Sequence, residues 1–183
     1  MRTCLLLLVI AACGGDDAMT TPDAPGGGAD ADDSARCLIK GDFGAVGSVT
    51  GTAGMAQGAT TVTVTLDPGM PPDNARDTFF IRLVPNQGVF SGGLAPGTYT
   101  ISGAEASYND CGLCVHIIAD IRAGQGPSKF YFADAGSVTL MSTTAPIMGS
   151  ATDLHLAEID IGTGAKVPGG CEATIDSITF ATQ

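Results

Sequence analysis

The chain has 183 residues, 44% of them apolar, enough for one domain-sized core. Aromatic residues make up 5%, Trp is absent and Gly occurs 26 times, a composition that favours short strands and turns over helices. A formal net charge of −11 excludes the phosphate-neutralising surface of a nucleic-acid binder, and equally a polybasic grip on anionic lipid.

At the N-terminus, Arg2, the apolar run Leu5 to Ile10 and the small residues before Cys13 are the three parts of an export signal. The run is too short to span a bilayer, which takes about 20 apolar residues in a helix. Val9-Ile10-Ala11-Ala12-Cys13 resembles the lipobox of bacterial lipoproteins, with an aliphatic residue three before the cysteine and small residues at the next two positions. The resemblance covers the first 13 residues. It implies that 1–12 are a signal peptide and that Cys13 carries a thioether-linked diacylglycerol and an amide-linked acyl chain. Several chains anchor a protein stably where one does not. Gly14, in place of Asp, points under that resemblance to an outer-membrane or cell-surface address. Loss of Arg2 with the leader takes the formal charge from −11 to −12.

Residues 13–36 are expected to be a lipidated, acidic tether. The stretch from Gly14 to Arg36 is rich in Gly, Ala, Pro and Thr and carries six Asp, with Arg36 its one base. Such a segment buries too little apolar area to offset the entropy of ordering, and its like charges extend it.

From Cys37 to Gln183 the pattern predicts a single all-β domain, an antiparallel β-sandwich or jelly roll of about nine short strands. Thr61 to Leu66 alternates, with Val62, Val64 and Leu66 inward. Phe79 to Val84 follows, stopped by Pro85-Asn86. Pro96-Gly97 turns the chain into a strand over 98–102, and Val115 to Ile121 alternates again. Phe130–Phe132 and Val138–Leu140 read as a hairpin turning at Asp134-Ala135-Gly136. In 154–161 and 173–180 the inward set slips by one residue, which predicts β-bulges near Ala157–Glu158 and Asp176–Ser177. No window shows helical spacing.

Once Cys4 leaves with the leader and Cys13 is lipidated, Cys37, Cys111, Cys114 and Cys171 remain. An even count in an exported domain predicts two disulfides in one of three pairings. The preferred one joins Cys111 to Cys114 locally and Cys37 to Cys171 across the domain, closing a loop for which chain entropy gives roughly 4–5 kcal/mol. Cys111-Gly112-Leu113-Cys114 has the spacing of a redox pair. The β-branched, alternating stretch after it removes the helix dipole that lowers a thiol pKa in such sites, so a structural bridge is the expectation. His116 with Asp120, and His155 with Asp160, are candidates for a divalent metal should their strands be neighbours; outward polar faces are the plainer reading. The acidic loop Asp67 to Asp77 has calcium-type oxygens but not the alternation or closing Glu of an EF-hand. Neither a G-x-S-x-G elbow nor a P-loop occurs, so no catalytic residue and no cofactor is predicted.

Beyond the leader, three short motifs carry a second resemblance: Asp110-Cys111-Gly112-Leu113-Cys114-Val115, Ala157-Glu158-Ile159-Asp160 and Val167-Pro168-Gly169-Gly170-Cys171. With the acidic tether, they are similar to uncharacterised surface lipoproteins of myxobacteria. That resemblance implies a disulfide-bearing β domain and carries no functional residues. The expected role is non-enzymatic: structure, adhesion or recognition, with the membrane reached through Cys13 and an unidentified protein or glycan as partner. A glycan would have only Tyr99, Tyr108, Tyr131 and the Phe rings to stack on. A redox or metal-binding envelope protein using the CGLC motif or the histidines is the alternative.

Overall fold

A computed structural model describes residues 37–67, 75–122, 124 and 126–183. The expected signal peptide, the lipidation candidate Cys13, the expected tether and most of the acidic loop lie outside the described residues. Eight strands form among the described residues: β1 (Ala45–Ala56), β2 (Ala59–Asp67), β3 (Arg76–Leu83), β4 (Gly97–Thr100), β5 (Leu113–Ile121), β6 (Lys129–Ser142), β7 (Met148–Ile159) and β8 (Glu172–Thr182). Two short 3-10 turns, Gly88–Phe90 and Gly103–Ala106, lie between β3 and β5.

The all-β class holds; the sandwich does not. Seven strands close into a mixed barrel in the order β6-β5-β3-β2-β1-β8-β7, and β7 pairs back onto β6. The eighth, β4, lies along the β5 side of β6, pairing with Ser137–Leu140 where β5 pairs with Lys129–Phe132. Every pairing is antiparallel except β1 with β8, where Val49 lies beside Phe180 and Gly51 beside Thr182. A sandwich keeps two sheets with open edges, whereas this ring joins its first and last strands.

A barrel of this size is just wide enough for side chains to fill. The inward residues do fill it: Val62, Phe79, Ile81, Ile117, Tyr131 and Leu156 are each fully buried in one continuous cluster. Each contributes roughly 1.5–3 kcal/mol by leaving water. Phe90 and Ile101, from the segment between β3 and β5, join the same cluster and close one end. At the other end the Tyr131 hydroxyl donates to the Cys37 carbonyl, beside the Cys37–Cys171 disulfide.

The predicted hairpin at Asp134-Ala135-Gly136 is instead the middle of one continuous strand, β6. Its register against β7 shifts between Ala133 and Ala135 and again between Ala135 and Ser137. Tyr131 and Ala133 face the core before the shift, Val138 and Leu140 after it. In β7, Asp153 takes a positive φ of 52°, and the inward set changes from Gly149 and Ala151 to Leu154 and Leu156. In β8 the phase changes at Asp176–Ser177, whose two N–H groups both donate to Gly44 O, at 2.9 and 3.5 Å. The bulge predicted there is present, and it belongs to a belt of bulges crossing β6, β7 and β8 at one level. The bulge predicted at Ala157–Glu158 is not present, since Ala157, Glu158 and Ile159 pair in even register with Phe132, Tyr131 and Phe130 of β6. Ile159 is buried because it faces a second, outer cluster rather than the barrel interior.

Gly136 shows why the chain bends here without turning back. Its φ is 117°, and a Cβ would lie 2.7 Å from Asp153 O and 2.9 Å from the Leu154 Cα. Gly136→Ala is therefore expected to destabilise the domain by roughly 1–3 kcal/mol, through left-handed strain and a backbone clash together. A urea unfolding midpoint unchanged from the parent would contradict that account.

Candidate functional site

Strand alternation places Phe80, His116, Phe132 and Ala157 in one lateral row on the outside of the barrel. An outward row normally meets water. Here Tyr108 and the Cys111–Cys114 bridge fold over it, and Phe132, Ile159 and both cysteines form a separate buried cluster. Asn109 donates to Thr163 O at 3.0 Å, tying this cover to the turn after β7.

His116 sits inside that layer, 4% exposed, with three rings edge-on to it: Phe132 at 5.2 Å, Tyr108 at 5.6 Å and Phe80 at 5.8 Å. Its Nε2 is buried without a hydrogen-bond partner among the described residues. Burial, reinforced by the Arg82 guanidinium, lowers its pKa to about 3. At neutral pH the imidazole is therefore an uncharged fourth ring of an aromatic cluster.

The cover is held by a carboxylate that sequence reasoning missed. Glu105 is 3% exposed and accepts three backbone N–H bonds: Val89 at 2.8 Å, Leu113 at 2.5 Å and Gly112 at 3.4 Å. One side chain thus joins both 3-10 turns to the CGLC segment. Gly112 is obligatory for this approach, because a Cβ would stand 2.1 Å from Gln87 O. Nothing in the order Gly103-Ala104-Glu105-Ala106 marks the Glu as buried.

Both predicted disulfides are present, Cys37–Cys171 and Cys111–Cys114. Cys111 and Cys114 are each 1% exposed, and Cys114 lies within β5 rather than at a helix N-terminus. The metal candidates are not brought together. β6 separates the strand of His116 from that of His155, and Asp120 pairs with Arg122 at 3.2 Å. Asp160 caps its own turn by accepting from Gly162 N and Thr163 N. Among the described residues no group of three His, Cys, Asp or Glu is placed to hold a metal ion. Residues 68–74 of the acidic loop lie outside the description; Asp77, at its end, accepts from Asp120 N at 3.1 Å.

His155 belongs instead to an ion-pair cluster on the outside of β6, β7 and β8. Its Nδ1 lies 2.6 Å from Asp134 Oδ1 and its Nε2 3.4 Å from Glu172 Oε2, while Lys166 pairs with the other Asp134 oxygen. The hydrogen bond to Asp134 raises the imidazole pKa above its ordinary value against the effect of burial. Burial works to raise the Asp134 carboxyl, but hydrogen bonds from Lys166 and His155 outweigh it and hold the group below the usual carboxylate value. The tyrosines are packed to different degrees. Tyr131 is buried in the core, Tyr108 packs on His116 and Phe132, and Tyr99 packs on Phe90 and donates to Ala95 O.

The two histidines act oppositely on stability. The folded pKa of His116 is depressed, so between the unfolded value near 6.5 and about 3 the unfolded chain binds a proton that the folded chain refuses. Stability therefore falls with falling pH across that window, by up to roughly 4–5 kcal/mol. The contribution of His155 is present below the ordinary imidazole value and lost as pH rises through its raised one; partial exposure keeps it small. Unfolding of wild type and His116→Leu at pH 7 and pH 4 should show the variant losing much less stability on acidification. Equal acid sensitivity would remove His116 as the cause. Glu105→Gln turns an amide N–H₂ toward backbone donors and is expected to cost roughly 1.5–3 kcal/mol, read as a lowered urea midpoint.

No family model, no curated protein and no solved structure matches the chain.

Proposed function

We propose that this protein is an exported lipoprotein, held to the outer membrane or cell surface through Cys13, whose barrel serves a structural, adhesive or recognition role without catalysis. The observation that carries the reading is Val9-Ile10-Ala11-Ala12-Cys13 upstream of a domain in which all four remaining cysteines are bridged. Paired cysteines suit an oxidising compartment outside the cytosol. A barrel interior filled by its own side chains leaves the outer faces and loops as the surfaces for partners. The net charge of −7 over residues 37–183, thirteen acids against six bases, keeps such a domain soluble and away from anionic lipid and nucleic acid.

The alternative, a redox or metal-binding envelope protein, draws less support. Thiol exchange needs a thiolate to reach a sulfur of the bridge, and Cys111 and Cys114 lie beneath Tyr108 and the segment bound by Glu105. A metal reading needs His116 and His155 on neighbouring strands, and they are not.

Expression of the full chain in a bacterium fed labelled palmitate tests the anchor. Label and membrane association are expected in the parent, and Cys13→Ser should lose both. A Cys13→Ser chain that stays in the membrane fraction would overturn the anchoring. Alkylation of the native protein without reductant should leave Cys37, Cys111, Cys114 and Cys171 unmodified; two reactive thiols at Cys111 and Cys114 would favour the redox alternative.

A further inference from the structure

His116 is walled in unequally. Phe80 of β3 and Phe132 of β6 flank its ring along the strand ladder, at 5.8 and 5.2 Å, and neither can move without disturbing the barrel. The remaining ring, Tyr108 at 5.6 Å, belongs to no strand. It lies in a turn over residues 107–110, where Asp110 N and Cys111 N both donate to Ser107 O, at 3.2 and 3.1 Å.

That turn is fixed at its ends and lightly held between them. Before it, Glu105 accepts from the backbone of Val89, Gly112 and Leu113; after it, the disulfide ties Cys111 to Cys114 in β5. Between those points two hydrogen bonds reach other segments among the described residues, Asn109 Nδ2 to Thr163 O at 3.0 Å and Gln87 Nε2 to Asn109 O at 3.1 Å. Both are exposed, so water competes for them. Segments held in this way open without the rest of the fold. Beneath the turn lie Cys111 and Cys114, each 1% exposed, with Tyr108 packed on their cluster.

Few charges face the imidazole. β3 brings Arg82, whose guanidinium opposes a second positive charge. β5 brings Cys114, already bridged, and β6 brings Phe132. Thr63 of β2 and Ala157 of β7 extend the same outward row without charge. In the turn, Asp110 accepts from the Ser107 hydroxyl at 2.7 Å, and Tyr108 brings a phenol. A protonated imidazole carries an N–H on both nitrogens. Its Nε2 has no acceptor within the layer among the described residues. Water must supply one, and the turn is the side that yields.

We propose that proton uptake by His116 swings the 107–110 turn off the barrel wall while the barrel stays closed, so that acid uncovers the Cys111–Cys114 bridge. The sensor stands two residues after the bridge it governs, on the same strand. The shut form holds the imidazole pKa down at about 3, and the open form returns it toward 6.5. A fall from pH 7 to pH 4 therefore favours opening by up to about two hundredfold. Sulfurs beyond a reductant at neutral pH come within its reach in acid.

The full chain, treated with an excess of a water-soluble phosphine at pH 7 and pH 4, then alkylated and mapped by mass spectrometry, tests this. The phosphine attacks one sulfur; water supplies the oxygen of the phosphine oxide and the protons of the two thiols released. Rates are taken against an unstructured peptide disulfide in the same tube, which cancels the reagent's own pH dependence. Reduction of Cys111–Cys114 should be at least about tenfold faster at pH 4 than at pH 7, with Cys37–Cys171 not following it. His116→Phe and His116→Leu each remove the titrating nitrogens and should show no acceleration. Tyr108→Ala should be reduced quickly at both pH values. A wild-type bridge equally slow at both, or an equal acceleration in the His116 variants, overturns the proposal. So does a parallel opening of Cys37–Cys171, which would mark unfolding of the whole barrel, or a Tyr108→Ala bridge that stays slow at pH 7.

Discussion

The parallel contact between β1 and β8 is the joint on which the rest of the molecule depends. It brings the first and last strands of the domain side by side and turns a curved sheet into a ring. The Cys37–Cys171 disulfide crosses the same joint at one end. There Glu158 accepts both Cys171 N and Lys129 Nζ at 3.0 Å. Closing a chain over a sequence separation of 134 residues is entropically expensive, and a covalent bridge removes much of that cost from the unfolded side. Without closure, β1 and β8 would each present a long unpaired edge.

A closed ring of long strands must bend, and the belt of bulges through β6, β7 and β8 is where it does so. A bulge adds a residue, increases local twist and reverses which side chains face inward. Three neighbouring strands can change phase together only if their bulges lie at the same level, as they do around Gly136, Asp153 and Asp176. The acidic residues at this belt stay outside; Asp134 meets His155 and Lys166 just where the strands change phase. Backbone irregularity and the surface ion pairs thus share one location.

The outer layer answers a different problem. Phe80, Phe130 and Phe132 point away from the barrel, so the domain needs a second cover, supplied by Tyr108 and the CGLC bridge. Glu105 anchors that cover with three backbone bonds, and His116 fills its centre as a neutral ring. The arrangement buries the CGLC sulfurs, and burial of the neutral imidazole is what makes the layer oppose protonation.

The order of amino acids is enough for the all-β class, the positions of most strands, the presence of two disulfides and the bulge at Asp176–Ser177, because each rests on local alternation or on cysteine arithmetic. The continuous apolar runs Phe79-Phe80-Ile81 and Phe130-Tyr131-Phe132 also carried a legible sign that both faces of those strands are covered. Other features are not local. A bulge and a hairpin both appear in sequence as broken alternation beside a Gly, so Asp134-Ala135-Gly136 reads equally well as either. Sandwich and barrel share the same strands and differ in whether β1 meets β8, a contact between the two ends of the domain. The burial of Glu105 and the separation of His116 from His155 by β6 likewise follow from which strands become neighbours. Hydrogen-bond closure between distant segments decides that, and no window along the chain records it.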